Sequence, residues 1–274
     1  MNCESKKYRR IVVKIGSNVL TREDGRPDTT RISALVDQLA RLHRAGTEFI
    51  LVSSGAVASG RSLLETRVGR IDTVSARQLF SAVGQVKLLN RYYDLFNEYG
   101  IACGQVLTTK ESLSTRRQYL NQRNCMEAML AAGVVPIVNE NDTISVTELM
   151  FTDNDELSGL LSTMIGAEAL VLLTNVDGIC DGTPGAPGVE VIREIAPGQR
   201  DLPDCIRDAK SSFGRGGMLT KSRIARKVAA EGIETIIADG RRDGWSDKGM
   251  TLQEDGKNYG EFLLDTIEGA KDQF

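Results

Sequence analysis

Two clusters of carboxylate and amide side chains are the part of this sequence best suited to chemistry. Asn139-Glu140-Asn141-Asp142 follows an apolar run that begins at Val134, and Asp153-Asn154-Asp155 comes shortly after it. Such groups are costly to desolvate unless they bind something, and in open α/β sheets ligands sit at the carboxyl ends of the strands. Asn and Asp also favour turns and helix N-caps, which is the alternative interpretation of either cluster. Two clusters in succession favour a ligand site.

Two lysines, Lys14 and Lys221, each lie beside a glycine-containing turn, one near each end of the chain. A lysine at the end of a strand is commonly a solvated edge residue, but beside such a turn it can point into a phosphate nest. Together with the acidic clusters, these lysines favour phosphoryl transfer, which needs charge compensation, a metal ion held with nucleotide oxygens, and aligned reactants. A carboxylate is an attractive acceptor because it is already ionised at neutral pH and needs no general base.

A turn of small residues, Ser53-Ser54-Gly55-Ala56, follows the predicted strand 48–52. Its backbone N–H groups and the start of the next helix could face a carboxylate or phosphate, and its small side chains would allow close approach. An ordinary tight turn between strand and helix is the alternative. The chain contains neither GxGxxG nor a Walker A motif, which disfavours an orthodox dinucleotide site and a P-loop kinase.

The composition is that of an ordinary globular protein with reduced thiols. The chain has 274 residues, a net charge of −3, 41% hydrophobic residues and 26% charged residues. Its five cysteines are scattered without CxxC spacing, which favours a cytosolic protein over a disulfide framework or zinc site. The single histidine, His43, nearly excludes His-rich metal centres and is expected to be exposed. No secretory signal or transmembrane run is present, so no membrane is expected.

Alternating strand and helix patterns position these groups. We predict strands at 10–15, 48–52, 101–107, 134–138, 169–173 and 235–238, and helices at 30–45, 75–99, 115–132, 155–165 and 218–231. Less regular patterns suggest an antiparallel excursion at 144–151, strands at 189–195 and 261–264, and a helix at 202–209. Alternation of this kind gives a mainly parallel sheet covered on both faces. The predicted fold class is therefore α/β, a three-layer αβα sandwich with a mainly parallel central sheet.

Several stretches between about residues 10 and 240 resemble the amino acid kinase family, in unbroken order. They are Val12–Ser17, Val52–Gly60, Ala82–Gln85, Tyr119–Asn124, Val134–Ser158 and Gly216–Lys221. The pairing of Asn-Glu-Asn-Asp with Asp-Asn-Asp, together with Gly-Gly-Met-x-Thr-Lys, is most similar to the branch that phosphorylates glutamate. Relatives usually carry Asp where Asn175 stands, Gly where Thr152 stands and Thr where Arg215 stands.

The resemblance implies a role for each candidate residue. The residues that would stabilise the transferring phosphoryl group are Lys14 and Lys221, oriented by Asp155. The glutamate-binding residues would be Ser54, Gly55, Ala56, Asn139, Asp142 and Asn154. The nucleotide pocket would be lined by Lys14, Thr174, Asn175, Arg215, Gly216, Gly217, Met218, Leu219, Thr220 and Lys221. Asp142 would face the α-ammonium group, and the turn amides would face the α-carboxylate. No metal ligand is identified.

The implied reaction transfers a phosphoryl group from ATP, with Mg²⁺, to the γ-carboxylate of L-glutamate, giving L-glutamyl 5-phosphate for proline biosynthesis. The resemblance also implies proline as a feedback inhibitor, a homo-oligomer (dimer or tetramer), a cytoplasmic location and no nucleic-acid partner. We expect one kinase domain over 1–274, with an amino-acid lobe to about residue 165 and a nucleotide lobe beyond it. The C-terminal PUA domain of many relatives is not expected here. The alternatives are a sister kinase with another acceptor and a non-catalytic amino-acid sensor.

Overall fold

The computed structural model describes residues 8–64, 69, 71–144, 151, 153–176, 178–180, 187–192 and 218–241. Its centre is a six-stranded sheet in the order β3-β4-β2-β1-β5-β6. The strands are β1 Arg10–Ile15, β2 Glu48–Ser53, β3 Cys103–Thr108, β4 Val135–Glu140, β5 Ala169–Thr174 and β6 Glu234–Asp239. All neighbouring pairs among these strands are parallel.

Helices cover the sheet on both faces. They are α1 Ser17–Leu20, α2 Thr29–Arg44, α3 Ala56–Leu64, α4 Thr73–Glu98, α5 Arg116–Ala131, α6 Asn154–Ile165 and α7 Met218–Ala229, with a 3₁₀ turn at Glu111–Leu113. One apolar core lies between the sheet and α2 and α4, and the other lies between the sheet and α5, α6 and α7. The predicted three-layer α/β sandwich is thereby confirmed. Among the described residues, none of the helices has the length and apolar character that a bilayer span requires.

The alternation of side chains along β1 decides which helices Lys14 can meet. Ile11, Val13 and Ile15 pack into the core beneath α2 and α4, whereas Val12 packs into the core beneath α6. Successive side chains on a strand point to opposite faces, so Lys14 emerges on the same face as Val12. The charged end of Lys14 is therefore directed toward α6 and α7.

Helices α3 and α4 approach one another unusually closely. A Cβ atom on Gly84 would lie 1.8 Å from the carbonyl oxygen of Ala56, and one on Gly60 would lie 1.8 Å from that of Phe80. These distances leave no room for a side chain. Gly84 therefore marks a close helix approach inside an unbroken α4.

His43 and the residues that follow β1 differ from the sequence predictions. His43 is half-buried rather than exposed, because its ring lies edge-on to Phe49, 6.2 Å between centroids, and burial lowers the pKa of its imidazole. The glycine-containing turn predicted beside Lys14 is limited to Gly16, because Ser17 and Asn18 already belong to the short helix α1. The predicted elements at 202–209 and 261–264, residues 145–150 of the predicted excursion and residues 193–195 of the predicted strand at 189–195 lie outside the described residues. Within the last, Val191 forms an isolated antiparallel bridge with Cys180.

The contact between α3 and α4 gives a first prediction. Gly84→Ala forces a methyl group against the α3 backbone, which cannot move without displacing α3, so we expect unfolding free energy to fall by about 1–3 kcal/mol. Urea titration followed by circular dichroism measures this change. Gly104→Ala is the control, because there the new Cβ meets only the flexible end of the Met129 side chain at 2.6 Å. Equal losses in the two variants would contradict the prediction.

Candidate functional site

The candidate site lies at the carboxyl ends of the central strands, where the chain leaves β1 in one direction and β5 in the other. From β1 the chain leads to β2 on one side, and from β5 it leads to β6 on the opposite side. Such a reversal opens a crevice outside the strand ends, which is where ligands bind in open α/β sheets. Lys14 lies near the end of β1, and Thr174 ends β5.

Within this crevice, Lys14 and Lys221 converge on the carboxylate of Asp155. Lys221 Nζ donates to Asp155 Oδ2 at 2.8 Å, and Lys14 forms an ion pair with Oδ1. The three residues are 4%, 7% and 0% exposed, respectively. Because they come from β1, α7 and α6, the tertiary fold brings together three groups that are far apart in the sequence.

Local features of α6 place Asp155 between the two lysines. Asp153 caps the helix, and its Oδ1 accepts from the backbone N–H groups of Asp155 and Glu156 at 2.9 and 3.0 Å. Further along, a Cβ atom on Gly159 would lie 2.8 Å from Ile224 of α7, so this glycine allows the two helices to approach closely. The cap fixes the first turn of α6, and the close approach brings Lys221 within reach of it.

The electrostatics follow from burial and pairing. Burial raises the pKa of the Asp155 carboxyl, but the two lysines outweigh it and hold this pKa below its ordinary value. Burial lowers the pKa of the Lys14 ammonium group, and Asp155 partly offsets that effect. Asp153 also interacts electrostatically with both lysines, but burial raises the pKa of its carboxyl and so disfavours its charged form. The two ammonium groups thus offer positive charge in a desolvated position, which would attract an anion such as a phosphoryl group.

A chain of polar side chains lies beside this cluster. Asn154 Nδ2 donates both to Ser54 Oγ at 2.9 Å and to Asn139 Oδ1 at 3.0 Å, and Asn139 Nδ2 donates to Gln85 Oε1 at 2.9 Å. Since Ser54 Oγ accepts from Asn154, its hydroxyl hydrogen can donate to a ligand. Three predicted residues, Ser54, Asn139 and Asn154, are thus in one hydrogen-bonded group.

The turn after β2 has the geometry expected of an anion cradle. Gly55 has a φ of +101°, a conformation that residues with side chains rarely adopt, and α3 begins at the next residue, Ala56. Ser54 N donates to the Ile15 carbonyl oxygen at 3.2 Å, which ties the turn to the end of β1. The N-terminus of α3 therefore lies at the same edge of the sheet as the end of β1, and helix N-termini favour negative charge.

Asp142 has a partner that the sequence did not predict. The Arg77 Nε donates to Asp142 Oδ1 at 2.9 Å, and an Arg77 terminal nitrogen forms an ion pair with the same oxygen. Arg77 also lies 3.7 Å from Glu140 Oε2, while Glu140 Oε1 accepts from the backbone N–H of Phe151 at 2.9 Å. Burial raises the pKa of Asp142, and Arg77 opposes that effect.

Only some of the residues predicted to line the nucleotide pocket lie within the described structure. Thr174 is buried at the end of β5, Asn175 follows it, and the Asn175 carbonyl oxygen accepts from Arg241 at 2.7 Å. The first turn of α7 carries the predicted residues Met218, Leu219, Thr220 and Lys221. Arg215, Gly216 and Gly217 lie outside the described residues. Within the run 215–221, the described structure shows a side-chain contact with Asp155 for Lys221.

Sequence reasoning missed Arg77, Glu140 and Gln85 as individual site residues. Arg77 and Gln85, which lie on α4, could have been found from the sequence, because Arg77, Ser81 and Gln85 are spaced four residues apart within a helix pattern. Residues four apart share one helix face, so three polar residues at this spacing predict a polar stripe facing the site. Ser81 and Gln85 are indeed buried. Glu140 was within the acidic cluster but had received no role.

In the described ranges, no group of three acidic, cysteine or histidine side chains could hold a metal ion. Asp153 is nevertheless a suitable single ligand. Its Oδ2 is buried and has no hydrogen-bond partner among the described residues, and burial raises the pKa of this carboxyl. Mg²⁺ is commonly bound by one or two carboxylates together with substrate phosphates. Asp153 Oδ2, which accepts no hydrogen bond from the described residues, fits that mode of binding.

Comparison with known proteins gives a consistent result. The sequence model of the amino acid kinase family matches residues 9–239. The glutamate 5-kinase of Bacteroides thetaiotaomicron is 66% identical over 236 residues, and that of Chlorobaculum tepidum is 48% identical over 237 residues. Each alignment covers 86% of this chain and 65% of the relative, so the chain spans about two thirds of the length of these proteins.

Among solved structures, the isopentenyl phosphate kinase of T. acidophilum in its product complex is similar with a TM-score of 0.64. It is 16% identical in sequence, and the alignment covers 97% of both chains. At this identity the likeness concerns the fold alone. It agrees with the parallel sheet and the two helical layers described above.

The buried ion cluster gives a second prediction. Asp155→Asn leaves two ammonium groups without their anion, and we expect the unfolding free energy at pH 7 to fall by about 3 kcal/mol. Because the folded pKa of Asp155 lies below its unfolded value, its stabilisation is present above about pH 4 and is lost as the pH falls through the folded pKa. The difference between wild type and variant should therefore narrow below about pH 4.

Urea titrations at several pH values between neutral and acidic measure this difference. Glu127→Gln is the matched control, because it removes one carboxylate from the exposed Arg123–Glu127 pair and should cost less than about 1 kcal/mol. A difference that stays constant into the acid range would show that the Asp155 charge is not its source.

Proposed function

The chain belongs to the amino acid kinase family, and we propose that it transfers the γ-phosphoryl group of ATP to the γ-carboxylate of L-glutamate. The product would be L-glutamyl 5-phosphate, which makes the chain a glutamate 5-kinase acting in proline biosynthesis. The high identity to proteins of that name supports this acceptor. The observation that carries the proposal is the buried arrangement of Lys14, Asp155 and Lys221.

The chemistry of phosphoryl transfer fits these three residues. Charge spreads over the equatorial oxygens of the transferring group, so catalysis depends on positioning and on nearby positive charge. Lys14 and Lys221 would supply that charge, and Asp155 would hold both ammonium groups at a fixed separation. Because the acceptor is a carboxylate, it is ionised at neutral pH and requires no general base. Phosphoryl transfer to a carboxylate thus requires fixed positive charge, and this cluster would provide it.

The amino-acid end of the site is proposed to lie over Ser54, Gly55, Ala56, Asn139, Asp142 and Asn154. The Ser54 hydroxyl and the backbone amides at the start of α3 suit a carboxylate. The Asp142 carboxylate suits the α-ammonium group. Asn154 immediately precedes Asp155 on α6, so a substrate held by Asn154 would place its γ-carboxylate beside the lysines.

The nucleotide end is proposed to lie between the end of β5 and the first turn of α7, at Thr174, Asn175 and Met218–Lys221. This assignment divides the chain into an amino-acid lobe up to about residue 165 and a nucleotide lobe beyond it. Asp153 would hold Mg²⁺ together with the ATP phosphates, through the Oδ2 described above. Once bound, Mg²⁺ would offset the negative charge of the phosphate oxygens.

We extend the proposal to proline as an inhibitor at the glutamate position. Proline carries an α-carboxylate and a charged secondary amine, which match Ser54 and Asp142, but it has no γ-carboxylate to accept a phosphoryl group. The same proposal places the enzyme in the cytoplasm as a homo-oligomer, a dimer or tetramer.

A direct test uses the purified chain with ATP, Mg²⁺ and hydroxylamine, which traps an acyl phosphate as a hydroxamate. We expect hydroxamate and ADP to form with L-glutamate and not with aspartate, and no acceptor-dependent ADP release with carbamate or uridine monophosphate. Turnover of another acceptor in place of glutamate would assign the chain to a sister kinase. Glutamate or proline binding without any transfer would make it an amino-acid sensor.

A further prediction concerns Lys221. Lys221→Met removes one of the two charges facing the transferring group, so we expect kcat to fall by about 10²–10³-fold with little change in the KM for glutamate. Lys227→Met is the control, because Lys227 is exposed on the same helix. If the Lys221→Met variant keeps the wild-type kcat, Lys221 does not stabilise the transition state.

A further inference from the structure

Arg77, like Glu140, is a charged residue beside the site to which neither the sequence nor the comparisons assign a role. It lies on α4, which contacts both the end of β4 and the residues after it. Gln85 accepts from Asn139 of β4 at 2.9 Å, and Gln78 donates to the Thr143 carbonyl oxygen at 2.9 Å. One rigid helix thus holds both sides of the segment that carries Asp142.

The two contacts between Arg77 and Asp142 use only one carboxylate oxygen. Both the Nε atom and a terminal nitrogen of Arg77 donate to Asp142 Oδ1. In the described part of the structure this arrangement leaves Oδ2 for a second cation. A guanidinium is planar and rigid, so its two donors anchor Asp142 through Oδ1 and leave Oδ2 available to a ligand.

Burial makes the support of Arg77 necessary. Asp142 is 8% exposed, and Glu140, the last residue of β4, is 6% exposed. Two carboxylates that are so far removed from water are costly to keep charged without a cation. Arg77 lies within ion-pair distance of both. Its side chain is 25% exposed, so the guanidinium also keeps contact with solvent.

We propose that Arg77 is a positioning residue for the amino-acid substrate, which keeps Asp142 charged and oriented so that Asp142 Oδ2 receives the α-ammonium group. This inference rests on the proposed function and adds to it a residue that acts through Asp142 without touching the reacting atoms. Without Arg77, Asp142 would be a less anionic and less ordered partner for the ammonium group. Lys14, Lys221 and Asp155, which face the phosphoryl group, would be unaffected.

The expected signature is a division between KM and kcat. Arg77→Met should raise the KM for glutamate by about tenfold, which is the scale of one charge-assisted hydrogen bond, and should leave kcat within about twofold of wild type. Arg77→Lys keeps the charge but loses the paired bonds, so its KM should lie between those of wild type and Arg77→Met. Lys87→Met, on the same helix at an exposed position, should match wild type.

A double-mutant cycle tests whether Arg77 acts through Asp142. Once Asp142→Ala has removed the carboxylate, adding Arg77→Met should raise the glutamate KM no further. If the double variant raises the glutamate KM by the product of the two single effects, the proposal is overturned. A lower KM in Arg77→Met would also overturn it, since it would mean that Arg77 competes with the substrate for Asp142.

Two further measurements separate the possible failures. If wild type forms no hydroxamate from glutamate, the proposed function fails, and the same cycle is then read from glutamate dissociation constants by calorimetry. If wild type is active and Arg77→Met keeps the wild-type KM, only the role of Arg77 fails. Thermal denaturation checks that each variant is folded, and Arg77→Lys carries the test if Arg77→Met is not.

Discussion

The carboxylate of Asp155, fully buried between two ammonium groups, is the interaction on which the rest of the site depends. Each of these three charges would be unfavourable in the protein interior alone, and they are tolerated only because they are paired with good geometry. That geometry requires β1, α6 and α7 to be placed correctly relative to one another. The capped first turn of α6 and the close approach at Gly159 are therefore requirements of the charge cluster as much as of the packing.

The direction of the hydrogen bonds beside this cluster decides which group can donate to a ligand at the proposed amino-acid position. Asn154 uses its amide hydrogens on Ser54 and Asn139, so it is the Ser54 hydroxyl that retains a hydrogen for a ligand. Asn154 and Asp155 are consecutive residues in the first turn of α6. The spacing between the positions proposed for the amino acid and for the phosphoryl group is thus set by adjacent residues of one helix.

Much of this arrangement could be predicted from the sequence, because the signals were local. Apolar runs that end in polar turns gave all six described strands, and the charged residues beside glycine turns gave Lys14 and Lys221. Asp142 shows where local reasoning stops. Its partner Arg77 lies 65 residues away on α4, and an arginine on a helix is ordinarily a solvated residue. Only the packing of α4 against the end of β4 shows that this arginine faces inward, and the half-buried position of His43 went unpredicted for the same reason.

The bond from the Phe151 backbone to the Glu140 side chain has a consequence for how such a site can diverge. It holds Phe151 at the end of β4 through the Glu140 side chain, eleven positions away along the chain. Changing the number of residues between two fixed points costs little conformational entropy, since the cost grows only with the logarithm of that number. The chain between Glu140 and Phe151 can therefore vary in length while β4 and the lysine cluster keep their places. Lys14, Asp155 and Lys221 are thus carried by backbone segments other than the one that carries Asp142.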